Sequence, residues 1–214
     1  MNEHLAPVFE VLLPALDEGG IDYWVFGGVS VAACTGGFVR ENKDVDIFVR
    51  SDDFPEANSL LGDLCSQRQF EFVEVSRRGD RPKTDVKIDQ KERLSMIPVY
   101  VEGDDVRFRY ADGDQIYPVQ ILARVRRTIP PYSFFSPGDK FIKHMFVEHI
   151  KARPDKLRRT TFQTDMEAIC PNTGLGTACR DECVRHEMDE YIISTGVTIL
   201  SPPCPFDSTP KIKR

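Results

Sequence analysis

The order of apolar and polar residues changes its period several times along the chain. Apolar side chains recur at helical spacing in residues 5–18 and 54–67, and glycine pairs flank a small-residue helix at 27–35. Between these segments, short runs rich in β-branched, aromatic or alternating apolar residues predict strands. The predicted strands cover residues 21–26, 44–49, 70–75, 84–89, 93–101, 106–110 and 116–122, and a turn or mobile loop is predicted at 77–83. This order predicts a mixed β-sheet flanked by helices, in the α/β (α+β) class.

The pattern changes near residue 136, where helical spacing replaces the strand-like alternation. Further helices are predicted at 164–169 and 179–193. Four prolines within residues 202–210 exclude regular helix or central strand there and predict a flexible tail. The predicted organisation is therefore an α/β domain at 1–132, a small helical C-terminal part at 133–200, and a tail at 201–214.

Composition narrows the possible partners. The 214 residues carry 28 Lys and Arg against 34 Asp and Glu, and this net charge of −6 argues against an overall electrostatic grip on nucleic acid. The basic stretch at 151–159 is either a solvated helix end or a contact surface for phosphate. No run approaches eighteen apolar residues, and the first residues lack the basic start and apolar run of an export signal. We therefore expect a cytoplasmic protein without a membrane segment.

Four of the six cysteines lie within residues 170–204. In the absence of an export signal we expect reduced thiols rather than disulfides. Cys179 and Cys183 are one helical turn apart and His186 follows on a similar face, so a soft-metal site is an alternative. Because the spacing matches no short zinc-binding motif, free thiols are favoured.

One arrangement suits phosphoryl chemistry: a strand, Gly27 and Gly28, a short helix, and then Asp44 and Asp46 on the next strand. Glycines let the backbone approach a triphosphate and offer N–H donors at a helix start, where the helix dipole favours anions. Ser30 adds a hydroxyl donor on the first turn. Aspartates at i and i+2 of a strand point the same way and can share divalent ions that bridge phosphate oxygens. No Walker-type lysine or Rossmann glycine triplet is present, which disfavours P-loop or dinucleotide binding.

The runs Tyr-Trp-Val-Phe-Gly-Gly-Val-Ser at 23–30 and Arg-Glu-Asn-Lys-Asp-Val-Asp-Ile at 40–47 resemble the signature of the nucleotidyltransferase superfamily. The resemblance is closest to lincosamide and aminoglycoside adenylyltransferases and to AbiEii-type toxin nucleotidyltransferases. It implies a mixed sheet flanked by helices and transfer of a nucleoside monophosphate from a nucleoside triphosphate, ATP being favoured, with Mg²⁺ held by Asp44 and Asp46. Arg40 fills the place of an arginine that precedes the Asp-x-Asp strand in those families.

The same families place a third carboxylate on a later strand, as a metal ligand or as the base toward the acceptor hydroxyl. Residues 86–89, Val-Lys-Ile-Asp, resemble their pattern, so Asp89 is the preferred catalytic and metal-binding residue, with Asp85 as the alternative. Residues 136–143 resemble a helix start that delivers a lysine, here Lys143, to the nucleotide phosphates. A later aspartate of these families corresponds to Asp165, which a helix N-terminal cap would explain as well. The predicted nucleotide-binding residues are Gly27, Gly28, Ser30, Arg40 and Lys143.

The sequence thus predicts an enzyme, a Mg²⁺-dependent nucleotidyltransferase that acts on a hydroxyl of RNA, a protein or a small molecule. The alternative is a catalytically degenerate nucleotidyltransferase fold that serves as a binding protein or as a toxin–antitoxin component. Neither the acceptor nor the base of the nucleotide follows from the sequence.

Overall fold

The computed structural model describes residues 2–77, 81–110, 113–139, 141–142, 145–146 and 159–169. The chain begins with a 3₁₀ turn at Glu3–Leu5 and a π-helical segment at Val8–Leu12, which continues into helix α1 at Leu13–Glu18. Pro14 lies just after the π-helical segment and has no N–H to donate to the helical turn before it. The other helices with defined bounds are α2 at Gly27–Thr35, α3 at Phe54–Arg68 and α4 at Thr160–Ile169.

Among the described residues, seven strands form one mixed sheet, and two more form a separate hairpin. The strands are β1 at Tyr23–Phe26, β2 at Val45–Arg50, β3 at Glu71–Arg77, β4 at Arg81–Ile88, β5 at Lys91–Glu102, β6 at Asp105–Tyr110, β7 at Gly113–Pro118, β8 at Val125–Ile129 and β9 at Tyr132–Ser136. The central order is β1-β2-β5-β4-β3, and β6 and β7 extend the sheet from the far end of β5. Strands β2 and β5 are parallel, whereas the other pairs that the structure describes are antiparallel.

The two faces of the central strands have different roles. Val25, Ile47 and Met96 are neighbours on β1, β2 and β5, and all three are fully buried on the face that packs with α1 and α3. Each such side chain contributes about 1.5–3 kcal/mol on burial. The opposite face carries an aromatic cluster that includes Trp24 and Phe48, while its polar residues gather at one end. The main core therefore leaves that polar end available for chemistry.

Helix α4 packs on α2, the helix that begins with the glycine pair. Val31 of α2 forms a buried cluster with Met166 and Ile169 of α4 and with Ile142 and Phe146, which precede α4 in the chain. Since α2 is thus held from the side, its first turn has a fixed position relative to the sheet.

The predicted fold class is confirmed, with three local differences. Residues 119–122 form a 3₁₀ turn instead of strand, and β3 and β4 extend into the segment predicted to be a turn at 77–83. The hairpin of β8 and β9 was not predicted, because its connection is Pro130-Pro131 rather than an Asn-Gly type turn, and β8 is arginine-rich. Strand β9 spans the boundary predicted at 132/133, and the domain division remains a prediction. The helix predicted at 179–193 and the tail predicted at 201–214 lie outside the described residues.

Candidate active site

A row of polar side chains crosses the three neighbouring strands β2, β5 and β4. Asp46 on β2 is paired with Ser95 on β5, and Ser95 is paired with Asp85 on β4. Residues directly opposite one another on neighbouring strands share a face of the sheet. Asp46 and Asp85 therefore lie on one face with Ser95 between them. On the other side of Asp46, the paired residue on β1 is Phe26, which immediately precedes α2.

The carboxylate of Asp46 lies against the start of α2. Gly27 adopts φ +68°, in the left-handed region that side chains other than glycine rarely adopt. A Cβ atom at Gly27 would lie 2.7 Å from Asp46 Oδ2, which is closer than real Cβ contacts. A Cβ at Gly28 would collide with the Arg40 guanidinium and the Asn42 amide. Both glycines are thus required for the carboxylate and the guanidinium to approach the helix start.

Asp44 is half-buried and lies directly before β2. Burial raises the pKa of the Asp44 carboxyl, and the charge of Glu92 raises it further, while Lys83, Lys43 and Arg40 act in the opposite direction. Because the ionised carboxylate is disfavoured there, a divalent cation beside Asp44 would relieve an existing electrostatic cost.

The two candidates for the third carboxylate occupy different positions. Asp85 is buried, and its Oδ1 accepts a hydrogen bond from Ser95 Oγ at 2.8 Å. The same oxygen forms an ion pair with Lys83 Nζ at 2.7 Å. Asp89 is exposed, follows the last residue of β4, and has φ +52° in the turn that leads to β5. The strand register therefore brings Asp85, and not Asp89, into line with Asp46.

The remaining predicted nucleotide-binding residues differ in their surroundings. Ser30 is 1% exposed, and its hydroxyl donates to the carbonyl oxygen of Gly27 at 2.7 Å. This bond ties the hydroxyl to the helix backbone in the structure. Lys143 lies outside the described residues.

Arg40 forms a two-pronged ion pair with Asp165 of α4. Its Nε donates to Asp165 Oδ1 at 2.8 Å, and its Nη2 donates to Asp165 Oδ2 at 2.6 Å. Burial raises the pKa of the Asp165 carboxyl, and the hydrogen bonds and charge of Arg40 only partly offset this effect. Because α4 begins at Thr160, Asp165 lies inside the helix and the N-terminal cap considered from the sequence is wrong. No local pattern indicated this pairing, since the partners are 125 residues apart.

The loop that precedes Asp44 is also fixed from the N-terminal segment. The side-chain oxygen of Asn2 accepts from the backbone N–H of Asn42 at 2.7 Å, and a ring nitrogen of His4, Nε2, lies 2.7 Å from the carbonyl oxygen of Asn42. The side-chain amide of Asn2 donates to the carbonyl oxygen of Arg40 at 3.2 Å. These bonds hold the backbone on which Arg40 and the acidic pair are carried.

We expect Asp165→Ala to lower the free energy of unfolding by about 3 kcal/mol, because the substitution leaves the partly buried Arg40 charge without its partner. Urea unfolding measures this change. The matched control is Asp17→Ala, which removes a 49% exposed partner of Arg124 and should cost less than about 1 kcal/mol. Equal losses in the two variants would show that the Arg40–Asp165 pair has no special stabilising role.

The ligand chemistry of the acidic pair fits Mg²⁺. Within the described ranges, no group of three His, Cys, Asp or Glu side chains is arranged to hold a metal ion. Mg²⁺ is commonly bound by one or two carboxylates, with substrate phosphates and water completing its shell. Asp44 and Asp46 supply that number of hard oxygen ligands beside a helix start that suits phosphates. The Cys179, Cys183 and His186 site considered from the sequence lies outside the described residues.

Comparison with known proteins gives a family and a fold. Residues 8–129 match the model of the aminoglycoside-2''-adenylyltransferase family. The solution structure of the antibiotic-resistance factor ANT(2'')-Ia is similar with a TM-score of 0.60 and 14% identity, covering 91% of this chain and 96% of that one. A crystal structure of ANT(2'')-Ia in complex with adenylyl-2''-tobramycin gives 0.59 and 14%, with coverages of 89% and 99%. The lincomycin-bound lincosamide adenylyltransferase LnuA gives 0.51 and 14%, with coverages of 74% and 91%.

These structural likenesses concern the fold, because the sequence identities are low. No curated protein sequence matches the chain. Among the described residues, the structure has no helix that is both long and apolar enough to span a membrane.

Proposed function

Since the chain belongs to the aminoglycoside-2''-adenylyltransferase family, we propose that it transfers AMP from ATP, with Mg²⁺, to a hydroxyl of an aminoglycoside. The chain is a nucleotidyltransferase, an enzyme that transfers a nucleoside monophosphate to an acceptor hydroxyl. The observation that carries the proposal is the close approach of the Asp46 carboxylate to the start of α2, which leaves no room for a Cβ atom at Gly27. Of the acceptor classes open from the sequence, the family favours a small molecule over RNA or a protein. The resemblance to AbiEii-type toxins remains a prediction.

In this proposal the start of α2 and the acidic pair bind the triphosphate together. Asp44 and Asp46 would hold Mg²⁺, which when bound polarises phosphate oxygens and neutralises charge on the departing pyrophosphate. Backbone N–H groups at the start of α2 donate to phosphate oxygens, which the helix dipole also favours. Arg40, held by Asp165 beside Gly28, places its guanidinium on the same side.

Asp85 is the group best placed to receive the acceptor's proton. The acceptor oxygen forms a bond to the α-phosphorus, and the bond between that phosphorus and the bridging oxygen to the β-phosphate breaks. Pyrophosphate leaves with the electron pair of that bond, and the hydroxyl proton passes to the Asp85 carboxylate. We assign this role to Asp85 in preference to Asp89, because Asp85 lies in the row with Asp46. With Asp44 and Asp46 as the metal ligands, Asp85 is free of that role.

The acceptor is tested by incubating the purified chain with Mg²⁺, ATP labelled at the α-phosphate, and tobramycin, lincomycin or total RNA in separate reactions. We expect label to accumulate on tobramycin and not on the other two. Asp46→Asn serves as the control for contaminating activity. Label on RNA or lincomycin in place of tobramycin would overturn the assigned acceptor but leave nucleotidyl transfer standing, and label on none of them would overturn the proposed function for these acceptors.

A further inference from the structure

Two members of the row of polar residues, Asp85 and Ser95, form a closed ring of side-chain contacts with Lys83 and Glu92. Lys83 Nζ lies 2.7 Å from Asp85 Oδ1 and 3.0 Å from Glu92 Oε1. Ser95 Oγ lies 2.8 Å from the same Asp85 oxygen and 2.7 Å from the same Glu92 oxygen. Two donors thus alternate with two acceptors around the ring.

The ring needs the lysine more than the serine. A serine hydroxyl carries one proton and donates to one of the two carboxylates at a time, whereas an ammonium has three donors and can serve both. Without the lysine, Asp85 and Glu92 would face one another across one hydroxyl, with like charges close together. Lys83 therefore provides the positive charge that balances the two carboxylates in this arrangement.

Lys83 is buried to an unusual degree for a lysine. Its side chain is 10% exposed, as is that of Asp85. Burial acts to lower the pKa of the Lys83 ammonium, but hydrogen bonds and charges from Asp85 and Glu92 outweigh it, so that the pKa is raised. Its charge also lies beside the row of polar residues, because its partner Asp85 is aligned through Ser95 with Asp46.

The ring uses only one of the two oxygens of Asp85. Lys83 and Ser95 both contact Oδ1, so Oδ2 is the oxygen that the ring does not engage. Two contacts to one oxygen restrict the rotamer of the carboxylate and leave Oδ2 as the oxygen outside the ring. This is the arrangement that a proton acceptor on the face of Asp46 requires.

Given the proposed adenylyl transfer, on which this inference rests, we propose that Lys83 is a positioning residue. It holds Asp85 with Oδ2 directed away from the ring, and it serves as a built-in counter-charge for the acidic end of the sheet. Glu92 and Ser95 complete the ring and keep the ammonium in place. Lys83 itself contacts neither the nucleotide nor the acceptor in this role.

The test compares Lys83→Met and Lys83→Arg with Lys87→Met. Lys87 is a matched control because it lies on the same strand and pairs with Glu71 at 2.7 Å, but is more exposed. Lys83→Met should lower kcat about 10–100-fold, the range seen when a supporting contact is lost, while the KM for ATP changes little. Lys83→Arg should recover part of the loss, and Lys87→Met should behave as the unchanged protein.

A second readout needs no turnover. The melting temperatures of the unchanged protein and of Lys83→Met are measured in EDTA and in excess Mg²⁺. Because loss of the ammonium makes the site more anionic, Mg²⁺ should raise the melting temperature of Lys83→Met more than that of the unchanged protein. A merely structural ion pair would lower the melting temperature equally in both conditions. If Lys83→Met does not fold, Lys83→Gln replaces it with the same expectations.

The outcomes separate this inference from the proposed function. An unchanged kcat in Lys83→Met, together with loss of activity in Asp85→Asn, would overturn the role of Lys83 and leave adenylyl transfer intact. An unchanged protein that transfers no label would overturn the proposed function. The role of Lys83 in positioning a base would fall with it, and the Mg²⁺ dependence of the melting temperature would then report only on the counter-charge.

Discussion

Replacing either Asp44 or Asp46 by asparagine is expected to reduce kcat by at least about 10³-fold, because a carboxylate ligand is worth several kcal/mol of charge stabilisation in the transition state. An amide of the same shape keeps the packing but carries no charge for a divalent cation. Release of pyrophosphate at saturating ATP and Mg²⁺ measures the change. The matched control is Asp52→Asn, an exposed carboxylate just beyond β2 that should leave kcat unchanged.

The same Asp44→Asn variant should not be less stable. Burial raises the pKa of Asp44 in the folded state, so ionisation of Asp44 opposes folding above the pKa of the unfolded chain, which is about 4. In EDTA near pH 8, we therefore expect a melting temperature equal to or above that of the unchanged protein. The difference should disappear well below pH 4, where the carboxyl is protonated in both states. A large fall in the melting temperature near pH 8 would mean that lost activity reflects lost structure.

The second large effect distinguishes the two candidates for the third carboxylate. Asp85→Asn is expected to lower kcat about 10²–10⁴-fold, which is the usual contribution of a general base. Asparagine still offers an oxygen to Lys83 and Ser95, so the ring of contacts around position 85 can persist. Asp89→Asn should keep kcat within about twofold, because exposed substitutions change free energies by about 0.5 kcal/mol or less.

The kinetic comparison is made with one acceptor at saturating ATP, and both variants are checked for an unchanged melting temperature. The reverse result, with Asp89→Asn inactive and Asp85→Asn active, would restore the residue favoured by the resemblance of 86–89.

Local pattern was sufficient for much of the fold. The helix at 54–67 and the strand at 44–49 could be predicted because side-chain periodicity, helix-ending residues and glycines all agree there. The β8–β9 hairpin was missed because its stability comes from packing of residues such as Phe134 against the N-terminal segment, which no local pattern shows. The 3₁₀ turn at Val119–Leu122 was read as strand because its apolar residues serve burial and not sheet pairing.

Some of the candidate site could likewise be predicted from local sequence, and some of it could not. The glycine pair and the Asp-x-Asp strand are short-range motifs, so the sequence indicated their chemistry directly. The choice between Asp85 and Asp89 depends on the β4–β5 register, which the irregularity between Val86 and Lys87 shifts. The roles of Lys83 and Asp165 depend on contacts between distant elements, and a single sequence does not record them.

The most direct test of nucleotidyl transfer follows the two ends of the triphosphate in parallel reactions. The chain is supplied with Mg²⁺, tobramycin and ATP that is labelled at either the α- or the γ-phosphate. We expect the α-label on the acceptor and the γ-label only in pyrophosphate, with both signals absent in Asp46→Asn. Transfer of the γ-label to the acceptor would identify a phosphotransferase and contradict the assignment of this site.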